Sequence, residues 1–320
     1  GFSRDGNANK GPLDNALAFI DYNDDGFLTS GEPSIRTGSR GEFLLSGADG
    51  FSDKNVVVLT DDTTIDTSSG VVVSGLTLSA PANAKVVSLA STLFVEANKS
   101  GDSITVDELK QAMGITGDVD LLTFNPFSDN LTETQKAAAA EIEVTSQQVG
   151  AVISTLTAAA TAAGLTTQDA FSASLDAVKS FVKDQSASGD TINLKDVAQL
   201  ETVAASVSAT ISEKSAETAY ASITVDVIAF DNLKTAVVSS IANVSALIES
   251  EITSDNFNQD AAKQIYSISQ VLADQASASV ASEKISKGSG SNSISFSGSS
   301  ETILGAATVA IVEGDLYVVS

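Results

Sequence analysis

The chain reads as an α+β protein of several domains, with β-structure at its amino end, a long helical region, and further strands at its carboxyl end. Three observations predict this. Apolar runs within residues 1–90 are short, rich in Val, Leu and Ile, and cut by clusters of Gly, Ser, Asp and Asn. From Thr132 to about Ser286 apolar residues recur at helical spacing in an Ala-rich background poor in Gly and Pro. Beyond the joint Lys287–Ser293 (KGSGSNS) a period-two alternation returns. A length of 320 residues suggests two domains, and 42% hydrophobic residues with a mean hydropathy of +0.14 argue for a buried core over a disordered chain.

The amino-terminal runs are Ala16–Ile20, Phe43–Leu45, Val56–Leu59 and Val71–Leu78; several are continuous, as suits strands buried in a small sandwich. Around Pro81 the pattern changes. Val86–Glu96 predicts a helix, and Thr105-Val-Asp-Glu108 is a capping box opening a second helix that ends near Gly114. Phe124–Asn130, with Pro126, reads as a loop. The expected segments are therefore 1–90, a β-sandwich; 91–131, short helices and a connecting loop; 132–286, a helical bundle; and 287–320, the joint and carboxyl-terminal strands.

Within the helical region Thr132 with Gln135, Thr166 with Asp169, and Asn193 with Asp196 predict helix starts. The stripes are Val149/Val152/Ile153/Leu156, Phe171/Leu175/Val178/Val182, Val197/Leu200/Ala204/Val207/Ile211, Val237/Ile241/Val244/Ile248 and Phe257/Ala261/Ile265/Ile268/Leu272. Such stripes bury one face against neighbouring helices, which predicts a bundle of about five with Ala and Ser permitting close approach. The uncharged stretch Val144–Gln168 is built from Ala, Thr, Ser and Gln and reads as a buried helix, since its insertion energy into lipid is weak. At the carboxyl end Ser293–Ser297 alternates, and Thr308–Val312 and Leu316–Val319 flank the turn Gly314-Asp315. A lone hairpin is only marginally stable, so these strands join the first sheet, pack on the helices, or pair with another molecule.

Forty-one acidic against 17 basic residues give a net charge of −24 and an isoelectric point near 4.1, which disfavours nucleic-acid binding and electrostatic attachment to anionic lipid. No membrane insertion is expected. Cys, His and Trp are absent, which removes disulfides, thiol nucleophiles, zinc–thiolate sites and the usual general base. The acidic pairs Asp24/Asp25, Asp61/Asp62 and Asp107/Glu108 fall in a loop, a turn and a helix start, where solvation or capping accounts for them. Gly288-Ser-Gly290 lacks the Lys and helix of a phosphate loop. Aromatics make up 5%, too few for a stacking platform. The expectation is a non-enzyme.

One motif carries specific chemistry. Asp21–Glu32 (DYNDDGFLTSGE) places Asp21, Asn23 and Asp25 at positions 1, 3 and 5 of a twelve-residue loop, Gly26 at 6, Phe27 at 7, Thr29 at 9 and Glu32 at 12. Calcium takes six to eight oxygens, and this order supplies side-chain oxygens, the Phe27 carbonyl, Thr29 with or without a bridging water, and a two-oxygen carboxylate to close the ring. An acidic turn is the bland alternative, because Asp, Asn and Gly crowd into turns for backbone reasons; Glu32 at the correct distance favours the metal. The loop follows an apolar run and precedes Pro33, so it joins strand to strand, unlike the helices of an EF-hand. Two echoes, Ser100–Glu108 and Ser188–Asp196, have Ala97 and Gln185 at position 1 and read as capped helix joints.

Lys10–Gly26 (KGPLDNALAFIDYNDDG), with Gly31-Glu-Pro33, Thr37 and Gly41-Glu-Phe43, resembles the calcium-loop β-sandwich modules of large secreted bacterial surface proteins: adhesin B-type repeats and their carboxypeptidase-regulatory-like relatives. Thr60–Thr67 and Ala80-Pro81 fit the strand pair and turn that follow. The resemblance covers about residues 10–127 and implies a transthyretin/Ig-like sandwich whose metal stiffens a stalk or layer. By position it assigns Asp21, Asn23, Asp25, Phe27 and Glu32 as ligands, and offers Asp61, Asp62 and Asp66 to a second site. With calcium plentiful outside cells, the expectation is an extracellular or cell-surface bacterial protein that binds Ca2+. It would associate with copies of itself, with strand addition by residues 307–320, into a surface layer, fibre or biofilm matrix. The alternative is an adhesin module whose partner is a host, mineral or polysaccharide surface.

Overall fold

The computed structural model describes residues 1–101, 103–254, 259–286 and 306, and the chain is mixed α+β. Two compact units emerge among the described residues, Gly1–Ser146 with Ile252–Lys263, and Gln147–Glu251 with residues 264–286.

Three small sheets form the first unit. In one, β1 (Phe2–Ala8) lies antiparallel to β5 (Glu42–Gly47), with Asp5 opposite Leu44, and parallel to β10 (Val86–Val87). A second sheet has β7 (Ile65–Asp66) between β2 (Leu13–Asp14) and β8 (Val71–Val72). The third runs β4 (Ser34–Arg36), β3 (Leu17–Ile20), β6 (Val56–Leu59), β9 (Thr77–Ala80), antiparallel throughout. Strand pleating alternates side chains between faces. On β5, Phe43, Leu45 and Gly47 face inward while Glu42, Leu44 and Ser46 face out. Leu13, Phe19, Ile20, Val58 and Leu78 are fully buried at the centre of the core.

Helix α1 (Leu89–Ala97) covers the edge of β9, the Ser91 hydroxyl donating to the Ser79 carbonyl at 2.7 Å and Ser79 N donating to the Thr92 hydroxyl at 2.9 Å. After α2 (Val106–Ala112), the first turns of α3 (Glu133–Ala163) return to this unit. There Glu141 accepts from Thr116 N and Gly117 N at 3.0 and 2.9 Å. Burial pushes the Lys10 pKa down, against the opposing charges of Asp66 and then Glu143.

The second unit holds the rest of α3 with α4 (Thr167–Ser188), α5 (Val197–Ser215), a short 3-10 turn (Thr218–Tyr220), α6 (Val227–Glu251) and α7 (Gln259–Ser286) from Gln264. The caps are local. Thr132 and Gln135 exchange side-chain–amide bonds, the Thr166 hydroxyl accepts from Asp169 N at 3.2 Å, and Gly189 ends α4 at φ +73°. Val149, Val152, Leu156, Leu200, Val207, Ile211, Ile241, Ile248, Ile268 and Leu272 are buried, as the stripes require.

Three expectations change, and one further strand appears. Val71–Leu78 is two strands, because Gly75 turns the chain at φ +72°. Val86–Glu96 is not one helix: Val86–Val87 pair with β1, and Ser88 caps a helix starting at Leu89, with Ser91 completing the box. Phe2–Ala8 is a strand the apolar pattern does not announce, since its inward residues are Arg4, Gly6 and Ala8. Asp196 caps α5 through Ala198 N at 2.9 Å, while Asn193 instead closes the preceding turn on Lys195 N. Phe257, the joint 287–293 and the strands expected in 293–320 lie outside the described residues. Among the described residues, no helix is long and apolar enough to cross a membrane.

Candidate metal centre

β3 ends at Ile20 and β4 begins at Ser34, so the acidic loop spans two paired strands whose register brings Phe19 opposite Ser34. Its ends are further held by Ile20 N donating to the Pro33 carbonyl at 3.2 Å. Asp21 lies inside the loop at 4% exposure, and its two oxygens accept from Asp25 N at 3.2 Å and Gly26 N at 2.8 Å. The Asn23 side-chain oxygen accepts from Asp25 N at 3.2 Å while its Nδ2 donates to Asp25 Oδ2 at 2.9 Å. Asp25 Oδ1 accepts from Phe27 N at 2.8 Å. Glu32 spans the ring, accepting from Tyr22 N through Oε1 at 2.8 Å and from Thr29 N through Oε2 at 2.7 Å. Gly26 stands at φ +78° with open space around a hypothetical Cβ, so backbone conformation alone calls for glycine there.

The donor set fits a hard cation: every side-chain donor is an oxygen, and a carboxylate oxygen that accepts one amide keeps lone-pair capacity for another partner. The side chains are nevertheless turned onto main-chain amides. Among the described residues, no group of three or more acidic side chains is gathered closely enough to hold an ion. Phe27 and Leu28, at the loop tip, are 55% and 39% exposed.

The chain between β5 and β6 embraces this loop. Ala48 N donates to the Tyr22 hydroxyl at 2.8 Å, the Tyr22 and Phe51 rings stack with centroids 3.8 Å apart, and Asp21 N donates to the Asn55 carbonyl at 3.1 Å. The Lys54 ammonium is ion-paired with Asp24. Buried Arg4, reaching from β1, donates to the Ser52 carbonyl at 2.6 Å and to the Lys54 carbonyl, its guanidinium 5.1 Å above the Phe2 ring. The Asp24 bond and then the charges of Asp24, Asp53 and Asp21 push the Lys54 pKa up. Sequence reading missed these residues. Lys54 and Asp24 are 30 positions apart, and no spacing rule joins them.

Asp61, Asp62 and Asp66 do not form a second cluster. Asp61 takes Arg36 at 2.6 Å and the Thr63 amide and hydroxyl at 2.9 and 2.5 Å. The Thr63 hydroxyl, then Arg36, outweigh partial desolvation and hold the Asp61 carboxyl down to about 2. Asp66 is buried and accepts from Gly11 N at 3.2 Å and from Ser68 N and Oγ at 2.9 and 2.6 Å. Gly11 is required there, since a Cβ would fall 2.0 Å from the Ser68 hydroxyl. Asp62 is exposed. In the echoes, Thr105 caps Glu108 N at 3.1 Å and Asp196 caps α5.

No family model, curated protein or solved structure matches this chain.

Proposed function

We propose that the chain is an extracellular structural protein of a bacterial surface, stabilised by calcium in the Asp21–Glu32 loop and self-associating into a layer, fibre or biofilm matrix. In this reading the first unit is a calcium-bearing β-sandwich of transthyretin/Ig-like kind, and the second is an Ala-rich helical bundle. One observation carries the reading: a loop with oxygen donors in calcium order, already folded into a ring at a strand-to-strand joint and held there by the 48–55 segment. Binding needs rotation of the Asp25 and Glu32 side chains toward an ion beside Asp21, with Asn23, the Phe27 carbonyl and Thr29 completing the shell. The ion would supply two positive charges to a site that otherwise concentrates negative ones. No residue is assigned a catalytic role.

Copies of the chain are the proposed partner. β4 and β5 are edge strands, and their outward side chains Ile35 and Leu44 are 42% and 60% exposed. They offer an acceptor for strand addition by residues 307–320 of a neighbour, a segment outside the described residues. Calorimetric titration with calcium, followed by electron microscopy with and without chelator, tests the proposal; absence of binding heat at millimolar calcium overturns it. A second reading, an adhesin module for a host, mineral or polysaccharide surface, draws support from exposed Phe27 and Leu28 at the ion-binding tip. It predicts a saturable glycan-array or cell-binding signal from a monomer.

A further inference from the structure

Lys54 is not an ordinary surface lysine. Its side chain is 26% exposed, and its backbone is fixed by contacts that have nothing to do with its charge. Arg4 grips the Ser52 and Lys54 carbonyls, Phe51 stacks on Tyr22, and the Asn55 carbonyl takes the Asp21 amide. These contacts deliver the ammonium to Asp24, at ring position 4, a position that supplies no ligand. They also leave it within the field of Asp21 and Asp53. A lysine ammonium is a compact point charge and cannot chelate. It neutralises part of the ring's charge and repels a divalent ion that enters.

We infer that Lys54 is the loop's resident counter-ion, holding the ring in shape without metal and lowering its affinity for a divalent ion. The inference rests on reading Asp21–Glu32 as a calcium loop. It accounts for a ring that would fill only where calcium is plentiful. Charge is the effective property, so Lys54→Arg should behave like the parent chain and Lys54→Met should not.

The experiment is calorimetric titration of the full chain with calcium chloride, paired with thermal melts in chelator. Removing one positive charge near the site should tighten calcium binding by Lys54→Met on the order of three- to tenfold. In chelator the same variant should melt below the parent chain, while Lys54→Arg keeps both values. If Lys54→Met does not fold, Lys54→Gln serves the same comparison. A parent chain that binds calcium and a Met or Gln variant that binds it equally or more weakly would overturn the inference while sparing the calcium reading. A parent chain giving no heat would overturn both.

Discussion

Glu32 serves the loop even without an ion, because its two oxygens tie Tyr22 N to Thr29 N across the ring. Asp25 differs: one oxygen takes Phe27 N and the other takes Asn23 Nδ2. Asp25→Asn keeps an acceptor for Phe27 N, removes the charge, and gives up only the exposed bond from Asn23 Nδ2. We expect it to cost roughly 1–2 kcal/mol of the stability that bound calcium adds at millimolar concentration, seen as a lower melting temperature there, and to change the melt in chelator far less. Glu32→Ala should lower both melts. Scanning calorimetry in the two buffers checks the contrast, and equal effects of Asp25→Asn in both would contradict an ion-linked role. Asp61 gives a second test at this scale. Its folded pKa, about 2, lies below the ordinary 3.8, so the stability it contributes is complete above the upper value and lost as pH falls through the lower. The pair with Arg36 is half exposed, so the contribution is small, ~0–1 kcal/mol. Carboxyl NMR titration should show Asp61 titrating well below the ordinary 3.8, and Thr63→Val should move it up.

Among the elements, α3 carries an unusual burden. Thr155 is fully buried, and its hydroxyl oxygen finds no hydrogen-bond partner among the described residues; it lies within the stripe of Val149, Val152 and Leu156. Thr155→Val keeps the β-branched shape and removes that hydroxyl, so the variant should be more stable by about 1 kcal/mol in urea unfolding. A loss of stability would show that the hydroxyl is satisfied in solution. The helices were legible because their apolar positions recur with one period and their ends carry Thr132, Thr166 and Gly189, local signals that need no tertiary partner. The strands were legible only where apolar side chains dominate, as in Val56–Leu59. β1 escaped because Arg4 fills an inward position usually held by an aliphatic residue, its charge met by carbonyls some fifty positions away. Val86–Val87 escaped because two residues are too short for a period, and the Ser88–Ser91 box that follows them sits inside a run with helical apolar spacing. The Asp21–Glu32 loop was legible as an order of oxygens, but the embrace by Phe51 and Lys54 depends on the fold of β5 and β6.

For the whole molecule, a net charge of −24 sets the condition for association. Copies of such a chain repel, and simple salt reduces that repulsion only beyond a Debye length of about 8 Å at physiological ionic strength. Calcium would do something salt cannot, placing two positive charges inside the Asp21–Glu32 ring, on the strand-to-strand connection that leads into the exposed edge strand β4. The expected outcome is association that appears in millimolar calcium, reverses in chelator, and fails at matched ionic strength in sodium chloride. Asp25→Asn should need more calcium to reach the same light scattering, and Leu44→Lys, which puts charge on the outward face of β5, should weaken association without changing calcium affinity. Leu44→Lys separates two causes that calcium dependence alone leaves mixed. If it weakens association while calorimetry still shows calcium bound, the ion acts on the fold and the edge makes the contact. If scattering and electron microscopy show monomers for the parent chain at every calcium concentration, a self-associating scaffold is the wrong reading and the adhesin alternative takes its place.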